Sequence, residues 1–114
     1  MKAYVYSRVA CDDGFSLELQ TAKLIHYAKQ AGYTVIGDYS EYGGGLTLER
    51  PALQALTQAV LMNRPDIVLV NDITRIARRM EMVQAYIELL NEFEINLLCL
   101  QDRLLFSRNS VTTI

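Results

Sequence analysis

Four apolar residues in a row, Ile67-Val68-Leu69-Val70, set the first limit on what this chain can become. A strand with one face in water alternates apolar and polar residues. A strand that is apolar at every position is covered on both faces. Helical periodicities flank the run. Upstream, Arg50-Pro51 places proline at the favoured first helical position, and Leu53, Leu56 and Val60 then share a face. Downstream, Val83, Tyr86, Ile87 and Leu90 point inward from a helix spanning Glu81 to Phe93.

The alternation continues in both directions. Ala3 to Val9 is a β-branched and aromatic strand. Leu17, Leu24, Ile25, Ala28 and Ala31 fall on one helical face, with Ser16 as the N-cap and Gly32 as the residue that ends the helix. Tyr33 to Tyr39 reads as a second strand, and Ser40 to Glu49, with Gly43-Gly44-Gly45, as a mobile loop. Ile95 to Leu100 is a fourth strand and Arg103 to Phe106 a short edge strand, after which no period is clear. The order β-α-β-α-β-α-β predicts an α/β fold. It is a three-layer αβα arrangement on a mainly parallel sheet of four or five strands, with right-handed crossovers. At 114 residues the chain is expected to form one domain, residues 1–114.

Charge and cysteine usage narrow the function classes. A net charge of −2 argues against a free-standing duplex-binding domain, since counterion release needs many Lys and Arg contacts. No apolar run approaches the roughly 18 residues of a membrane span. Met1-Lys2-Ala3-Tyr4 enters a strand pattern directly, which argues against a signal peptide. Cys11 and Cys99 lie far apart and there is a single histidine, so the expectation is a reduced, metal-free cytoplasmic protein.

In parallel sheets ligands sit beyond the carboxyl ends of the strands. Those ends are Arg8-Val9-Ala10, Tyr39-Ser40-Glu41, Asn71-Asp72 and Gln101-Asp102. Arginines collect near them: Arg8, Arg50, Arg75, Arg78 and Arg79. Converging guanidinium forks can hold a phosphodiester and stabilise charge on its transition state without a metal. The alternative is that surface arginines pair with Glu41, Asp72 or Glu81. Asp12, Asp13, Glu41 and Asp72 also invite comparison with a Mg²⁺ site, but acidic loop ends more often face water or pair with arginines. His26 reads as structural or exposed, and Tyr4, Tyr6, Tyr33, Tyr39 and Tyr86 as core or sheet positions.

Several stretches, in order and covering Ala3 to Asp102, resemble the catalytic domain of the serine recombinases (resolvases and invertases). Tyr6-Ser7-Arg8-Val9-Ala10 is similar to the family's first strand, with Ala10 where the attacking serine stands. Gly14-Phe15-Ser16-Leu17-Glu18-Leu19-Gln20 resembles the opening of its first helix, which places Gln20 on an active-site glutamine. Tyr39 to Gly45 resembles its Tyr-x-Asp loop, with Glu41 for the aspartate and glycine for a serine. Leu48-Glu49-Arg50-Pro51-Ala52-Leu53 is similar to the Arg-Pro-x-Leu of the large members. Ile67 to Arg78 resembles a strand followed by Asp-Arg-Leu-x-Arg, with Thr74 for the aspartate and Arg75 and Arg78 for the arginines, three residues apart and so on one helical face.

The resemblance implies a parallel α/β fold, DNA as partner through its phosphate backbone, and no metal or other cofactor. It implies a reaction in which serine attacks the scissile phosphate, forms a 5′-phosphoserine link and frees a 3′-hydroxyl, while arginines stabilise the transition state. Arg8, Gln20, Arg50, Arg75 and Arg78 are the catalytic residues it carries over. Ala10 and Thr74 depart from it, and a methyl group cannot attack phosphorus. Neither Ser7 nor Cys11 is a natural replacement, because adjacent residues on an extended segment point to opposite sides. The family's assembly helix and DNA-binding domain lie beyond this length, and assembly as a homo-oligomer or with a partner recombinase is implied. The expected function is therefore site-specific DNA recombination with catalysis impaired or lost. The alternative is a DNA-independent protein-interaction module with a vestigial phosphate pocket, in which Leu104, Leu105 and Phe106 could mediate self-association.

Overall fold

Ile67–Val70 forms a strand buried at every position, with a parallel neighbour on each side. A computed structural model describes residues 1–11 and 14–114. The elements run β1 (Lys2–Val9), α1 (Gly14–Gln30), β2 (Thr34–Tyr42), α2 (Pro51–Asn63), β3 (Ile67–Val70), a 3₁₀ turn (Ile73–Arg75), α3 (Met80–Glu92), β4 (Asn96–Cys99), β5 (Leu104–Ser107) and β6 (Ser110–Thr113). The sheet order is β2-β1-β3-β4-β5-β6; the first four strands are parallel, and β5 and β6 continue antiparallel.

Strand alternation divides the core in two. Ala3, Val5, Ile67, Leu69 and Leu98 face Leu24 and Ala28 of α1. Tyr4, Tyr6, Val68, Val70, Leu97 and Cys99 face Leu53, Leu56 and Val60 of α2 and Val83, Tyr86 and Leu90 of α3. Each fully buried aliphatic side chain of this kind contributes about 1.5–3 kcal/mol. The result is the three-layer αβα fold. No helix among the described residues is long and apolar enough to cross a membrane.

The sheet has six strands among the described residues, against the four or five expected. β6 is the addition. Its Ser110-Val111-Thr112-Thr113 is exposed throughout, so no apolar pattern announces it, and its pairing with β5 creates it. β2 runs on to Tyr42, because Ser40, Glu41 and Tyr42 pair with Ser7, Arg8 and Val9. α1 begins at Gly14, which puts Ser16 inside the helix rather than at its cap and leaves Ala31 beyond its end. Gly32 has φ +87°, the left-handed conformation expected of the residue that ends α1.

β1 is followed by α1 on one face and β2 at one edge. β3 lies on the other side of β1 and is reached through α2 on the opposite face. This reversal opens a crevice between the carboxyl ends of β1 and β3, where such sheets bind ligands.

Candidate functional site

β1 delivers Arg8 to that crevice and leaves the sheet after Val9; Ala10 and Cys11 follow in an exposed bend. Arg8 is only 3% exposed. Its Nε donates to the Arg75 carbonyl at 3.0 Å, its Nη1 to the Gly43 carbonyl at 2.6 Å, and its Nη2 to the Thr74 carbonyl. Burial, then the nearby Arg50 charge, lowers the pKa of its guanidinium. Arg75 answers from the other side, its Nη1 donating to the Arg8 carbonyl at 2.9 Å. Gln20, on α1, brackets the same peptide. Its Oε1 accepts from the Arg8 N–H at 3.2 Å and its Nε2 donates to the Arg8 carbonyl at 3.3 Å.

Arg50 stands at the N-cap of α2 with extended backbone and is 5% exposed. Its Nη1 donates to the Thr47 carbonyl at 2.6 Å, and its Nη2 to the carbonyls of Arg75 at 2.9 Å and Ile76 at 2.6 Å. Nη2 also reaches the Tyr6 hydroxyl at 3.1 Å, and Nε lies 3.4 Å from the Glu41 carboxylate. Glu41, at the end of β2, supplies what α2 lacks locally. Its Oε1 accepts from the Ala52 N–H at 2.9 Å and its Oε2 from the Leu53 N–H at 3.1 Å. A carboxylate there satisfies free helical N–H groups and lies at the positive end of the helix dipole. The Tyr6 hydroxyl donates to the same carboxylate, and burial followed by that hydrogen bond pushes the phenol's pKa well up.

Asp72 caps the 3₁₀ turn that follows β3. It accepts from the Thr74 N–H at 3.0 Å, from the Thr74 hydroxyl, from Asn71 Nδ2 at 3.0 Å and from Arg75 Nε at 3.1 Å. Burial alone would raise its pKa; the Thr74 hydrogen bond, the Arg75 charge and the Asn71 bond outweigh that and lower it. At neutral pH Asp72 is therefore an ionised acceptor that holds Arg75.

Arg78 is exposed, and its backbone N–H donates to the Gly45 carbonyl at 2.8 Å. Gly45 passes so close that a Cβ there would lie 2.8 Å from Arg78 Cγ, 3.0 Å from Arg78 N and 3.0 Å from Arg8 Nη2. Residues 43–47 thus form a strap over the arginines, anchored through the carbonyls of Gly43, Gly45 and Thr47.

The structure therefore brings Arg8, Gln20, Arg50 and Arg75 together directly. Arg78 joins through the strap, and Ala10 stands at the end of the strand that carries Arg8. The expected carboxylate pairings also form: Arg50 with Glu41, Arg75 with Asp72, and Arg79 with Glu81 at an exposed 3.8 Å. Arg8 and Arg50 are not the surface residues that such pairing assumed. Most of their hydrogen bonds go to backbone carbonyls. Of the acidic quartet, Asp12 and Asp13 lie outside the described residues, and Glu41 and Asp72 are engaged as above. Among the described residues no group of three His, Cys, Asp or Glu is placed to hold a metal.

Ser7 is buried on the opposite side, its Oγ accepting from the Thr21 hydroxyl at 2.8 Å. Cys11 lies past the last residue of β1, so strand alternation does not set its direction. Cys99 is buried, and that burial pushes its thiol up to about 12.

Sequence reasoning missed Tyr6 as a site member, since an aromatic in a strand reads as core. It also missed Lys23. Val9, Ser16, Leu19, Gln20, Lys23, Asn71 and Arg75 line a cleft of about 270 Å³ between α1 and the strand ends. The i, i+3 spacing of Gln20 and Lys23 was the available signal.

The family described as "Resolvase, N terminal domain" matches residues 3–112. No curated protein matches the chain. The N-terminal catalytic domain of TP901-1 integrase is 29% identical with a TM-score of 0.86, the match covering 96% of this chain and 84% of that one. The C-terminal catalytic domain of ISC1926 TnpA, an IS607-like serine recombinase, is 27% identical with a TM-score of 0.82, covering 88% of this chain and 67% of that one. A resolvase family site-specific recombinase from Streptococcus pneumoniae, at 23% identity, shares the fold with a TM-score of 0.75, covering 90% of this chain and 73% of that one.

Proposed function

The chain belongs to the resolvase N-terminal domain family, as a serine recombinase catalytic domain, and from that premise we propose that it engages the DNA phosphate backbone without cutting it. The observation that carries this reading is Ala10. It directly follows the strand whose Arg8 is locked to Arg75, at the position where the resemblance puts the attacking hydroxyl. Loss of a nucleophile is not a graded loss, because no other group occupies its point in space. The nearby hydroxyls are committed elsewhere: Ser7 to Thr21, Thr74 to Asp72, Tyr6 to Glu41.

Arg8, Gln20, Arg50, Arg75 and Arg78 then serve as a phosphate-facing scaffold in one domain spanning residues 1–114. Arg75 and Arg78 are its accessible cations. A phosphate reaching Arg8 or Arg50 must first displace the carbonyls of Gly43 or Thr47. Retention of the chain on duplex DNA at low salt tests the reading. It should fall as salt rises and weaken in Arg78→Ala, whose exposed side chain can be removed without opening the core. Salt-independent retention, or none, contradicts it.

A second reading rests on a different surface. Met80, Gln84, Ile87, Phe106 and Val111 line part of a groove of about 520 Å³ between α3 and the β5–β6 hairpin. Met80 is 56% and Val111 59% exposed. An apolar groove of this kind suits a protein partner, either a second copy or a related recombinase. A mass in solution that rises with concentration and is indifferent to DNA would favour this reading over phosphate engagement.

A further inference from the structure

We propose that the free edge of β6 pairs with the same edge of a second copy of this chain, joining two sheets antiparallel about Thr112. This goes beyond phosphate engagement, on which it does not depend, and gives the protein-partner reading an occupant and a contact. β6 stands last in the sheet order β2-β1-β3-β4-β5-β6. One side of it pairs with β5, and among the described residues the other has no strand neighbour. The register fixes which backbone groups that free side carries. β5 and β6 pair as Leu104–Thr113, Leu105–Thr112, Phe106–Val111 and Ser107–Ser110, and the Ile114 N–H donates to the Arg103 carbonyl at 2.9 Å. In an antiparallel pair, alternate residues direct both backbone groups at the same neighbour. Ser110, Thr112 and Ile114 therefore bond inward, and Val111 and Thr113 present their N–H and C=O groups outward.

These outward groups are self-complementary. With a twofold axis at Thr112, Val111 of each copy exchanges both bonds with Thr113 of the other, so every outward group finds a partner. Thr112 then meets Thr112 of the other copy across the axis, a cross-strand pair that stabilises sheets. Charge does not oppose the approach. Ser110-Val111-Thr112-Thr113 carries none, and Arg108 of the two copies falls at opposite ends of the joined strands, roughly 25 Å apart by strand rise. The opposite edge of the sheet is different. Edge strands are usually protected by charge, proline or irregular pairing. β2 has an exposed Asp38 and a register shift against β1 between Ala3 and Tyr4. β6 has a regular register, no charge and no proline, and its Val111-Thr112-Thr113 is β-favouring. Apolar surface adjoins this edge. Val111 is 59% exposed and, with Met80, Ile87 and Phe106, lines the groove of about 520 Å³ between α3 and the hairpin. An axis perpendicular to the sheet keeps α3 of both copies on one side, so the two grooves adjoin across the joined strands. The contact is short, which places it among weak, transient interfaces rather than obligate ones.

The test is sedimentation equilibrium of the 114-residue chain over a concentration series without DNA, with amide hydrogen exchange at the low and high ends. Parent, Thr112→Lys, Thr113→Pro and Met62→Lys are compared, with thermal melts to show that each is folded. Thr112→Lys sets like charges face to face on the axis. Thr113→Pro removes an N–H that points away from β5, where an edge strand tolerates proline. Met62, 83% exposed on α2, carries the charge control. The parent should pass from one copy to two as concentration rises. Over the same range the Val111 and Thr113 amides should exchange more slowly, while those of Ser110 and Thr112 change little. Thr112→Lys and Thr113→Pro should each raise the midpoint concentration by about tenfold or more; Met62→Lys should leave it unchanged. A parent that stays monomeric into the millimolar range would overturn the proposal. Association that survives both β6 variants would also overturn it, and would assign the second copy to the groove alone. Growth past two copies would exclude a closed twofold pair.

Discussion

Arg8 and Arg75 hold each other through side chain and backbone in both directions: Arg8 Nε donates to the Arg75 carbonyl at 3.0 Å while Arg75 Nη1 donates to the Arg8 carbonyl at 2.9 Å. This clasp joins the end of β1 to the turn after β3, so it spans the crevice between them. Because Arg8 is 3% exposed and satisfies three carbonyls, its removal leaves buried acceptors without partners. Arg8→Ala should cost about 3 kcal/mol of stability. Arg78→Ala, at an exposed side chain, should cost less than about 0.5 kcal/mol. Urea denaturation of the two variants checks this, and equal costs would show that the clasp does not hold the sheet ends together.

The strap makes a second prediction. Gly45→Ser restores the residue type found in the related loop, but its Cβ would meet the Arg78 backbone nitrogen and Arg8 Nη2, each at 3.0 Å. Backbone cannot yield as a flexible side chain can, so the strap should lift, at a cost of about 1–3 kcal/mol. The readout is hydrogen exchange at the Arg78 amide, which donates to the Gly45 carbonyl at 2.8 Å. Exchange should accelerate in Gly45→Ser, and an unchanged rate would mean that the strap accommodates the side chain in place.

Glu41 tests how far the site is also a folding element. Its carboxylate caps α2 through the N–H groups of Ala52 and Leu53 and neutralises the buried Arg50. Glu41→Gln leaves that guanidinium without a counter-charge and weakens the cap. Breaking a buried pair from one side costs about 3–5 kcal/mol. The melting temperature should drop by 10 °C or more, using about 4–8 °C per kcal/mol for a domain of this size. A drop of only a few degrees would place the Arg50 charge in solvent contact instead.

Asp72 gives the pH dependence. Its folded pKa lies below the unfolded value of about 3.9. The unfolded state therefore takes up the proton first as pH falls. The stability from the Asp72 contacts is fully present above the unfolded pKa and is lost as pH drops through the folded one. Asp72→Asn should destabilise the chain by about 1–3 kcal/mol at pH 7, and by progressively less as pH falls below the unfolded pKa and through the folded one. Denaturation across this pH range measures it; a difference that does not shrink in acid would assign the effect to packing rather than charge.

What the sequence made legible follows the range of the interactions. Ile67 to Val70 reads as a doubly covered strand because each residue reports its own burial. Leu53, Leu56 and Val60 read as a helix face for the same local reason, and the order of these patterns is enough for the αβα layers. β6 was not legible, since Ser110-Val111-Thr112-Thr113 is polar and becomes a strand only by pairing with β5. Ser40 to Tyr42 looked like a loop and is drawn into β2 by Arg8 and its neighbours. The motif resemblance located Arg8, Gln20, Arg50 and Arg75, and the structure gathers them. It carried no information on where their donors point. Arg8 reaches carbonyls at Gly43, Thr74 and Arg75, and Arg50 reaches Thr47, Arg75 and Ile76. Those acceptors come from remote turns, whose approach depends on the assembled fold.

The proposal that this recombinase domain keeps the arginine scaffold without a nucleophile is open to experiment. Its most direct test is detergent quenching of the chain after incubation with nicked duplex DNA, followed by a search for protein-linked strands. Parent, Ala10→Ser and Cys11→Ser are run side by side. No linked strand is expected with the parent or with Cys11→Ser, whatever Ala10→Ser yields. A covalent adduct with the parent would contradict it, and loss of that adduct in Cys11→Ser would locate the attacking atom at the exposed Cys11 thiol.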